Sequence, residues 1–190
     1  MTTAYRFTVD DLPSFPDDGR RYEVIDGELY VSSAPHGLHQ GVLDQLNAEL
    51  VAWVRRTGLG WSVSGMGIIF AADSGVIPDL VWVSHERLPQ VVRGDGKLHG
   101  APDLVVEILP PGPDNERRDR EVKLKLYSVQ GVREYWIVDR ETRSVQLYRR
   151  QQAALTLAAT LAVEDELTSP LLPGFGVPVG DLFRAPAVDL

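Results

Sequence analysis

The sequence predicts an α/β protein with a mixed central β-sheet flanked by helices. Two runs of β-forming residues, 78–83 and 102–109, each begin with Pro-Asp and are apolar enough for buried strands. Residues 36–56 carry apolar side chains at helical spacing, and a second helix is indicated near residues 114–130. Because strand and helix patterns follow one another along the chain, both kinds of element are expected to share one core.

The composition is that of an ordinary globular protein. With 190 residues, the chain is long enough for one domain with a sizeable core, so we expect residues 1–190 to form a single domain. Cysteine is absent, which excludes disulfides and thiolate metal sites. The N-terminus lacks the apolar segment of a signal peptide, and no run reaches membrane-spanning length. We therefore expect a cytoplasmic protein without a membrane partner.

The charge balance restricts the kind of nucleic-acid binding that is expected. The net charge of −8 argues against broad, sequence-independent binding, which needs a basic face. A local basic patch in the cleft of a dimer stays compatible with it. The one dense basic cluster is interleaved with acids and consists of Arg117, Arg118, Arg120, Lys123 and Lys125.

The first half of the chain contains a hairpin, a long helix and broken strands. Residues 1–20 are expected to be an irregular lead-in, because Asp pairs, prolines and a glycine crowd residues 8–20. Asp26-Gly27 joins two β-prone runs and predicts a hairpin with a type I′ turn. One apolar helical face runs through residues 36–56, before Gly58 and Gly60, and comprises Leu38, Val42, Leu43, Leu46, Leu50, Trp53 and Val54. Residues 61–70 indicate β structure interrupted by two glycines.

The second half alternates strands with one further helix. A proline-rich stretch, residues 110–113, delays the helix, which Asp114 or Asn115 can cap and which ends near Gln130. Its expected buried stripe is Val122, Leu126 and Val129, with Lys123 and Tyr127 on the flank. Strands are predicted at residues 134–138, 144–149 and 155–163, and residues 164–190 are expected to be a tail that wraps the surface.

Two carboxylates occupy positions that a strand alone does not explain well. Glu107 lies inside an apolar run and Asp79 begins one, although an unpaired buried charge costs several kcal/mol. Asp103 shares a strand face with Glu107, but roughly 13 Å separate their Cα atoms, whereas a neighbouring strand lies only about 4.8 Å away. If two of these carboxylates share one metal ion, Glu107 is therefore better paired with Asp79 than with Asp103. The alternative is that Asp79 and Asp103 merely begin strands after a proline.

An ordered set of motifs covers nearly the whole chain and resembles a known family. The most specific motif is Lys123 and Tyr127 followed by residues 131–139, Gly-Val-Arg-Glu-Tyr-Trp-Ile-Val-Asp. The other matching segments are residues 21–29, His39, Pro78-Asp79, residues 101–109 and residues 169–175. Together they resemble the Uma-type family of predicted restriction endonucleases, which is assigned to the PD-(D/E)XK nuclease-like fold. The resemblance thus implies a restriction endonuclease-like α/β domain.

The resemblance also implies a set of site residues. Asp79 and Glu107 would bind the metal, Mg²⁺ or Mn²⁺, and Lys123 would complete the catalytic set from the following helix. The general fold places this lysine two residues after the second acid, where this chain has Leu109. This chain also has Leu109-Pro110-Pro111 where the family usually has Leu-Ser-Pro. The accessory candidates are His39, as a water-mediated contact or a helix cap, Glu23, which either joins the acids or faces solvent, and Asp103.

With these residues, the resemblance implies a Mg²⁺-dependent endonuclease that hydrolyses phosphodiester bonds of DNA. A metal on two carboxylates activates water and neutralises developing charge, and a lysine beside it serves as a base or a phosphate contact. One alternative is a non-catalytic binding module on the same fold, which the negative net charge favours. Another is a hydrolase of a different phosphate ester. A homodimer is expected because a two-fold enzyme can cut both strands of a duplex.

Overall fold

The computed structural model describes residues 5–33 and 37–184, so the predicted helix start at His36 and the end of the predicted tail lie outside the described residues. The strands are β1 Arg21–Ile25, β2 Glu28–Ser32, β3 Trp61–Ser64, β4 Ile68–Ala71, β5 Ser74–Val76, β6 Leu80–Val83, β7 Leu104–Ile108, β8 Glu134–Asp139, β9 Ser144–Gln151, β10 Ala154–Leu161, β11 Glu166–Thr168 and β12 Gly176–Pro178. The α-helices are α1 Gly37–Thr57, α2 Leu88–Val91, α3 Pro113–Arg117, α4 Leu124–Gln130 and α5 Val179–Leu182.

A six-stranded mixed sheet forms the centre of the molecule. Its order is β10-β9-β8-β7-β6-β3, in which β7 and β8 are parallel and the other neighbours antiparallel. Every residue of β7 and β8 is buried, because both strands lie inside the sheet and both faces are covered. The predicted fold class, a mixed sheet with flanking helices, is confirmed.

Alternation along β7 decides which residues face which layer. Leu104, Val106 and Ile108 pack in a core with α1 and the C-terminal elements. Val105 packs on the opposite face with residues of α4. Since side chains repeat every two residues, Glu107 points to the α4 side together with Val105. The carboxylate of Glu107 is thereby directed toward the helix that carries Lys123.

A second, four-stranded antiparallel sheet has the order β2-β1-β5-β4. Its hairpin is the predicted one, with positive φ at both Asp26 and Gly27, as a type I′ turn requires. The three-residue strand β5 was not predicted, because Ser74-Gly75-Val76 is too short and too small in side-chain volume to show a β pattern. The lead-in is less irregular than expected, since Val9–Ser14 form a 3₁₀-helix.

The helical run between residues 113 and 130 presents a different face from the predicted one. It comprises α3, a π-helical segment Arg118–Lys123 and α4, and it ends at Gly131 with a φ of 90°. Leu126 is buried as predicted, but Val129 is 73% exposed. Lys123 and Tyr127, expected on the flank, are buried. The prediction failed because it assumed that the core face is apolar, whereas this face carries a buried ionic network.

The C-terminal segment belongs to the core and does not simply wrap the surface. In its described part, β11 and β12 form a hairpin and α5 packs against α1. Leu167, Leu172, Phe175 and Leu182 are all buried in the core that contains α1. The prediction of a surface tail was therefore wrong for these residues. None of the helices in the described part of the chain is both long and apolar enough to cross a membrane.

Phe175→Ala tests the contribution of this segment. Phe175 is 5% exposed and its ring packs against Trp136 with the ring centroids 6.1 Å apart. We expect the free energy of unfolding to fall by about 3–5 kcal/mol, the usual range for a buried phenylalanine. Urea unfolding measures the change, with the exposed Val129→Ala as the control. A loss below about 1 kcal/mol, as at surface positions, would contradict the core assignment.

Candidate active site

An open cavity of about 160 Å³ lies where β6 and β7 meet the helical run. Among the residues that the structure describes, its walls carry eight ionisable side chains: Arg21, Glu23, His39, Asp79, Glu107, Arg118, Asp119 and Lys123. We call this space the acidic cavity. Four carboxylates in it face three permanent cations, so one negative charge is in excess when all the carboxylates are ionised. Such a concentration of buried charge is expensive to maintain and is typical of functional sites.

Asp79 is held by three donors at the start of β6. Its Oδ1 accepts a hydrogen bond from Arg21 Nη1 at 2.7 Å, and its Oδ2 accepts one from the backbone amide of Ile108 at 2.9 Å. His39 Nε2 lies 3.0 Å from Oδ2, on the first turn of α1. Burial opposes ionisation, but the contact with His39, its charge and that of Arg21 outweigh it and lower the pKa of Asp79 to about 2. Asp79 is thus an anion throughout the physiological range.

Glu107 lies opposite Asp79 on the neighbouring strand. Leu80 pairs with Val106 in the antiparallel ladder of β6 and β7, so one further step places Asp79 across from Glu107. Directly opposed residues in such a pair have Cα atoms about 4.5–5.5 Å apart. Both side chains therefore leave the sheet on the same face and reach the same cavity.

Lys123 is the central cation of the acidic cavity. Its Nζ lies 2.9 Å from Glu107 Oε1, 3.0 Å from Glu23 Oε1 and 3.8 Å from Asp119 Oδ1. By contrast, the side chain of Lys125 is 71% exposed and pairs with Asp26 outside the cavity. The structure thus brings Lys123 to the acids and keeps Lys125 away from them.

The pKa values of Lys123 and Glu107 are displaced upward. Burial alone would lower the pKa of Lys123, but the charges of Glu107, Glu23 and Asp119 raise it well above its usual value. Burial, together with the charges of Asp119, Asp79 and Glu23, raises the pKa of Glu107 to about 8 in spite of Lys123. Lys123 is therefore a permanent cation, which speaks against the role of a base.

Sequence reasoning missed two members of the cavity in the π-helical segment. Asp119 is buried, and its carboxylate accepts hydrogen bonds from Arg118 Nε at 3.1 Å and Nη2 at 3.5 Å. Burial raises the pKa of Asp119, although Lys123 and Arg118 oppose the shift. The sequence analysis had placed Arg118 in the dense basic cluster and had assigned no role to the acids interleaved with it. The spacing of four between Asp119, Lys123 and Tyr127 was the available signal, since it marks one helical face.

Glu23 and Tyr127 support the central pair from two sides. Glu23 is buried on β1, and its Oε1 accepts a hydrogen bond from the backbone amide of Ile77 at 2.7 Å as well as the contact with Lys123. Glu23 therefore joins the acids and does not face solvent. Tyr127 donates its hydroxyl proton to Glu107 Oε1 at 2.9 Å, so its role exceeds packing. Its ring also packs edge-on against Tyr135, with centroids 5.0 Å apart.

Asp103 is the one proposed accessory residue that the structure does not bring to the cavity. It precedes β7 at the end opposite to Glu107, as the spacing along the strand requires. Asp103 Oδ1 accepts a hydrogen bond from Arg133 at 3.1 Å, and its Oδ2 accepts one from the backbone amide of Ser84 at 2.8 Å. Asp103 is therefore a buried anchor between loops, and its inclusion in the site was wrong.

The donor set can be compared with the needs of a divalent ion. Within residues 5–33 and 37–184, no three His, Asp or Glu side chains are grouped so as to hold a metal. Mg²⁺, however, is commonly held by one or two carboxylates and completes its shell with water and substrate oxygens. Asp79 and Glu107 supply such a pair at the wall of an open cavity. The residues present therefore fit Mg²⁺ or Mn²⁺ on two protein ligands.

Comparisons with known proteins agree with the architecture. Residues 9–180 match the model of the Uma2 family, described as "Putative restriction endonuclease". The fold is similar to the crystal structure of "a putative nuclease belonging to DUF820" from Anabaena variabilis, with a TM-score of 0.73 and 20% identity. The similarity covers 93% of this chain and 97% of the other. Among curated proteins, none matches the chain.

Proposed function

Because the chain belongs to the Uma2 family of restriction endonuclease-like proteins, whose model matches residues 9–180, we propose that it is a metal-dependent nuclease acting on DNA. The family and the nuclease-like fold support a nuclease. We further propose that the metal is Mg²⁺ or Mn²⁺ and that the substrate is DNA. Both parts of the proposal rest on the chemistry of the acidic cavity.

The observation that carries the proposal is the convergence of Asp79, Glu107 and Lys123. The two acids lie opposite each other on neighbouring strands. Lys123, 16 residues after Glu107 in the sequence, lies on the helical run and contacts Glu107. Two carboxylates and a cation beside an open cavity are the groups that phosphodiester hydrolysis needs. Neither strand geometry nor helix packing requires three such groups to be buried together.

Each residue has a definite part in this mechanism. A divalent ion, when bound, lowers the pKa of a water molecule and neutralises charge on the phosphate. Asp79 is kept ionised by its hydrogen bonds and charged neighbours. Glu107 offers a second carboxylate from the neighbouring strand. Lys123, which stays protonated, acts as a fixed positive charge toward a phosphate and not as the base. Glu23 and Tyr127 hold Lys123 and Glu107 in place.

A second candidate is a binding module on the same fold without turnover. It is favoured by the resident cations of the cavity, because Arg21, Arg118 and Lys123 already neutralise most of the acidic charge. In that case the network only stabilises the fold. The net charge of −8 also favours it over a nuclease that binds DNA broadly.

Cleavage assays with and without a metal test the proposal. We expect supercoiled, linear or single-stranded DNA to be cut with Mg²⁺ or Mn²⁺, and EDTA to stop the reaction, because the ion supplies the activated water. Gel electrophoresis over time separates nicks from double-strand breaks. Direct appearance of linear product would support the proposed homodimer, since two sites would then act together. An absence of cleavage on all three substrates would favour the binding module.

A further inference from the structure

The two oxygens of Asp79 are used unequally. Oδ2 carries two contacts, from the Ile108 amide at 2.9 Å and from His39 at 3.0 Å, and its lone pairs are therefore occupied. Within residues 5–33 and 37–184, Oδ1 carries a single hydrogen bond, from Arg21 Nη1 at 2.7 Å. A cation that binds Asp79 must therefore approach Oδ1, which is the oxygen that Arg21 covers.

Arg21 differs from the other cations of the cavity in its freedom to move. Its side chain is 24% exposed, compared with 9% for Arg118 and 2% for Lys123. In the described part of the chain, its guanidinium hydrogen-bonds to Asp79 alone, whereas Lys123 is surrounded by three carboxylates. Turning Arg21 away from the cavity wall breaks one ion pair, and its remaining N–H donors are free to bind another anion.

We propose that Arg21 is a displaceable counter-ion: it neutralises Asp79 in the metal-free protein, is displaced by the divalent ion, and then binds a phosphate of the substrate. The inference rests on the proposed metal-dependent function. Arg21 must move and cannot simply lose its charge, because a guanidinium stays protonated at every relevant pH. A divalent ion at Oδ1 would lie close to the guanidinium that already binds this oxygen, and their mutual repulsion, which is strong inside a protein, favours displacement of Arg21. The guanidinium and the metal therefore compete for one oxygen.

Mn²⁺ titration of the purified protein, followed by electron paramagnetic resonance, tests the competition without relying on activity. We expect Arg21→Gln to bind Mn²⁺ about tenfold or more tightly than the wild type, because each 1.4 kcal/mol of removed competition is worth a factor of ten. Arg21→Lys keeps the charge and should stay within about threefold of the wild type, since less than 1 kcal/mol changes. Arg20→Gln, whose side chain is 61% exposed and pairs with Asp18, is the matched control and should show no change.

The possible outcomes separate the inference from the function on which it rests. Equal or weaker Mn²⁺ binding by Arg21→Gln, with measurable binding by the wild type, would overturn the counter-ion role and leave the metal site intact. If neither protein binds Mn²⁺, both the proposed metal site and the inference fail. Asp79→Asn should abolish binding in either background. Should Arg21→Gln melt at a much lower temperature, Arg21→Met provides a second uncharged variant of similar length, with the same expected gain in affinity.

Binding of a DNA duplex, measured by fluorescence anisotropy, tests the second half of the inference. With Ca²⁺ present, Arg21→Gln should bind more weakly than the wild type, and the slope of log affinity against log salt should fall by about one, the value for one lost phosphate contact. With EDTA, when Arg21 stays on Asp79, the two proteins should bind equally. An unchanged salt slope in Ca²⁺ would exclude the phosphate contact.

Discussion

Glu107→Gln should abolish metal-dependent cleavage of DNA while the protein stays folded. The substitution keeps the size of the side chain but removes the charge with which Glu107 would hold the ion. Loss of that charge stabilisation is worth several kcal/mol in the transition state. At about 1.4 kcal/mol per factor of ten, the rate of cleavage should fall on the order of a thousandfold or more.

The structure explains why this variant should fold. Burial already raises the pKa of Glu107 to about 8, so a neutral side chain is tolerated at this position. Lys123 keeps its contact with Glu23 at 3.0 Å and remains paired. Far-ultraviolet circular dichroism and a thermal melt check the fold. The matched control is Glu86→Gln, which changes an exposed carboxylate that does not line the cavity and should cut DNA at the wild-type rate.

The comparison also guards against contaminating nucleases. Equal rates for the wild type and Glu107→Gln, each purified in the same way, would show that the activity does not belong to this protein. A Glu107→Gln variant that retains a tenth or more of the activity would remove Glu107 from the catalytic set. Both results would leave the fold assignment unaffected, because it depends on the sheet and its register.

Lys123→Met should be strongly destabilising at neutral pH. The substitution leaves Glu23, Glu107 and Asp119 buried around an uncharged side chain, although each lies within 4 Å of the lysine nitrogen. Removal of one partner from a buried ionic network typically costs 3–5 kcal/mol, so we expect about that loss in the free energy of unfolding. For a protein of this size the melting temperature should fall by about 6–20 °C.

The loss should depend on pH in a defined direction. Lys123 lowers the pKa of both Glu107 and Asp119, so its removal raises these values further. A carboxyl whose pKa is higher in the folded than in the unfolded state binds protons on folding, and stability then rises as the pH falls. The stability of Lys123→Met should therefore rise as the pH falls from above pH 8, where Glu107 begins to take up its proton, toward the ordinary glutamate pKa near 4.5.

Urea unfolding at several pH values measures this effect. Lys125→Met is the control, because that lysine is exposed and its ion pair is with an exposed aspartate. It should change stability by less than about 0.5 kcal/mol at every pH, as surface substitutions usually do. A Lys123→Met variant that is as stable as the Lys125→Met variant at pH 8 would contradict the buried network.

Much of the fold could be predicted because its signals are local. Asp26-Gly27 determines the hairpin, and the glycines after residue 57 coincide with the end of α1. Runs such as Glu134–Asp139 are buried on both faces, and their mostly apolar, β-forming composition indicates this. The strand β5 and the burial of Phe175 could not be predicted in this way, because short or glycine-rich segments acquire their structure from neighbours distant in the sequence.

The sequence by itself determined the order of the main elements, the mixed α/β class and the placement of Asp79 and Glu107 on strands that could be neighbours. These follow from periodicity and turn chemistry, which act over a few residues. Only the tertiary structure decided that Arg21 covers Asp79 from 58 positions away, and that Glu23 and Asp119 join Lys123 at one point. A charge can be buried only where partners from distant segments converge, and no local pattern records where they meet.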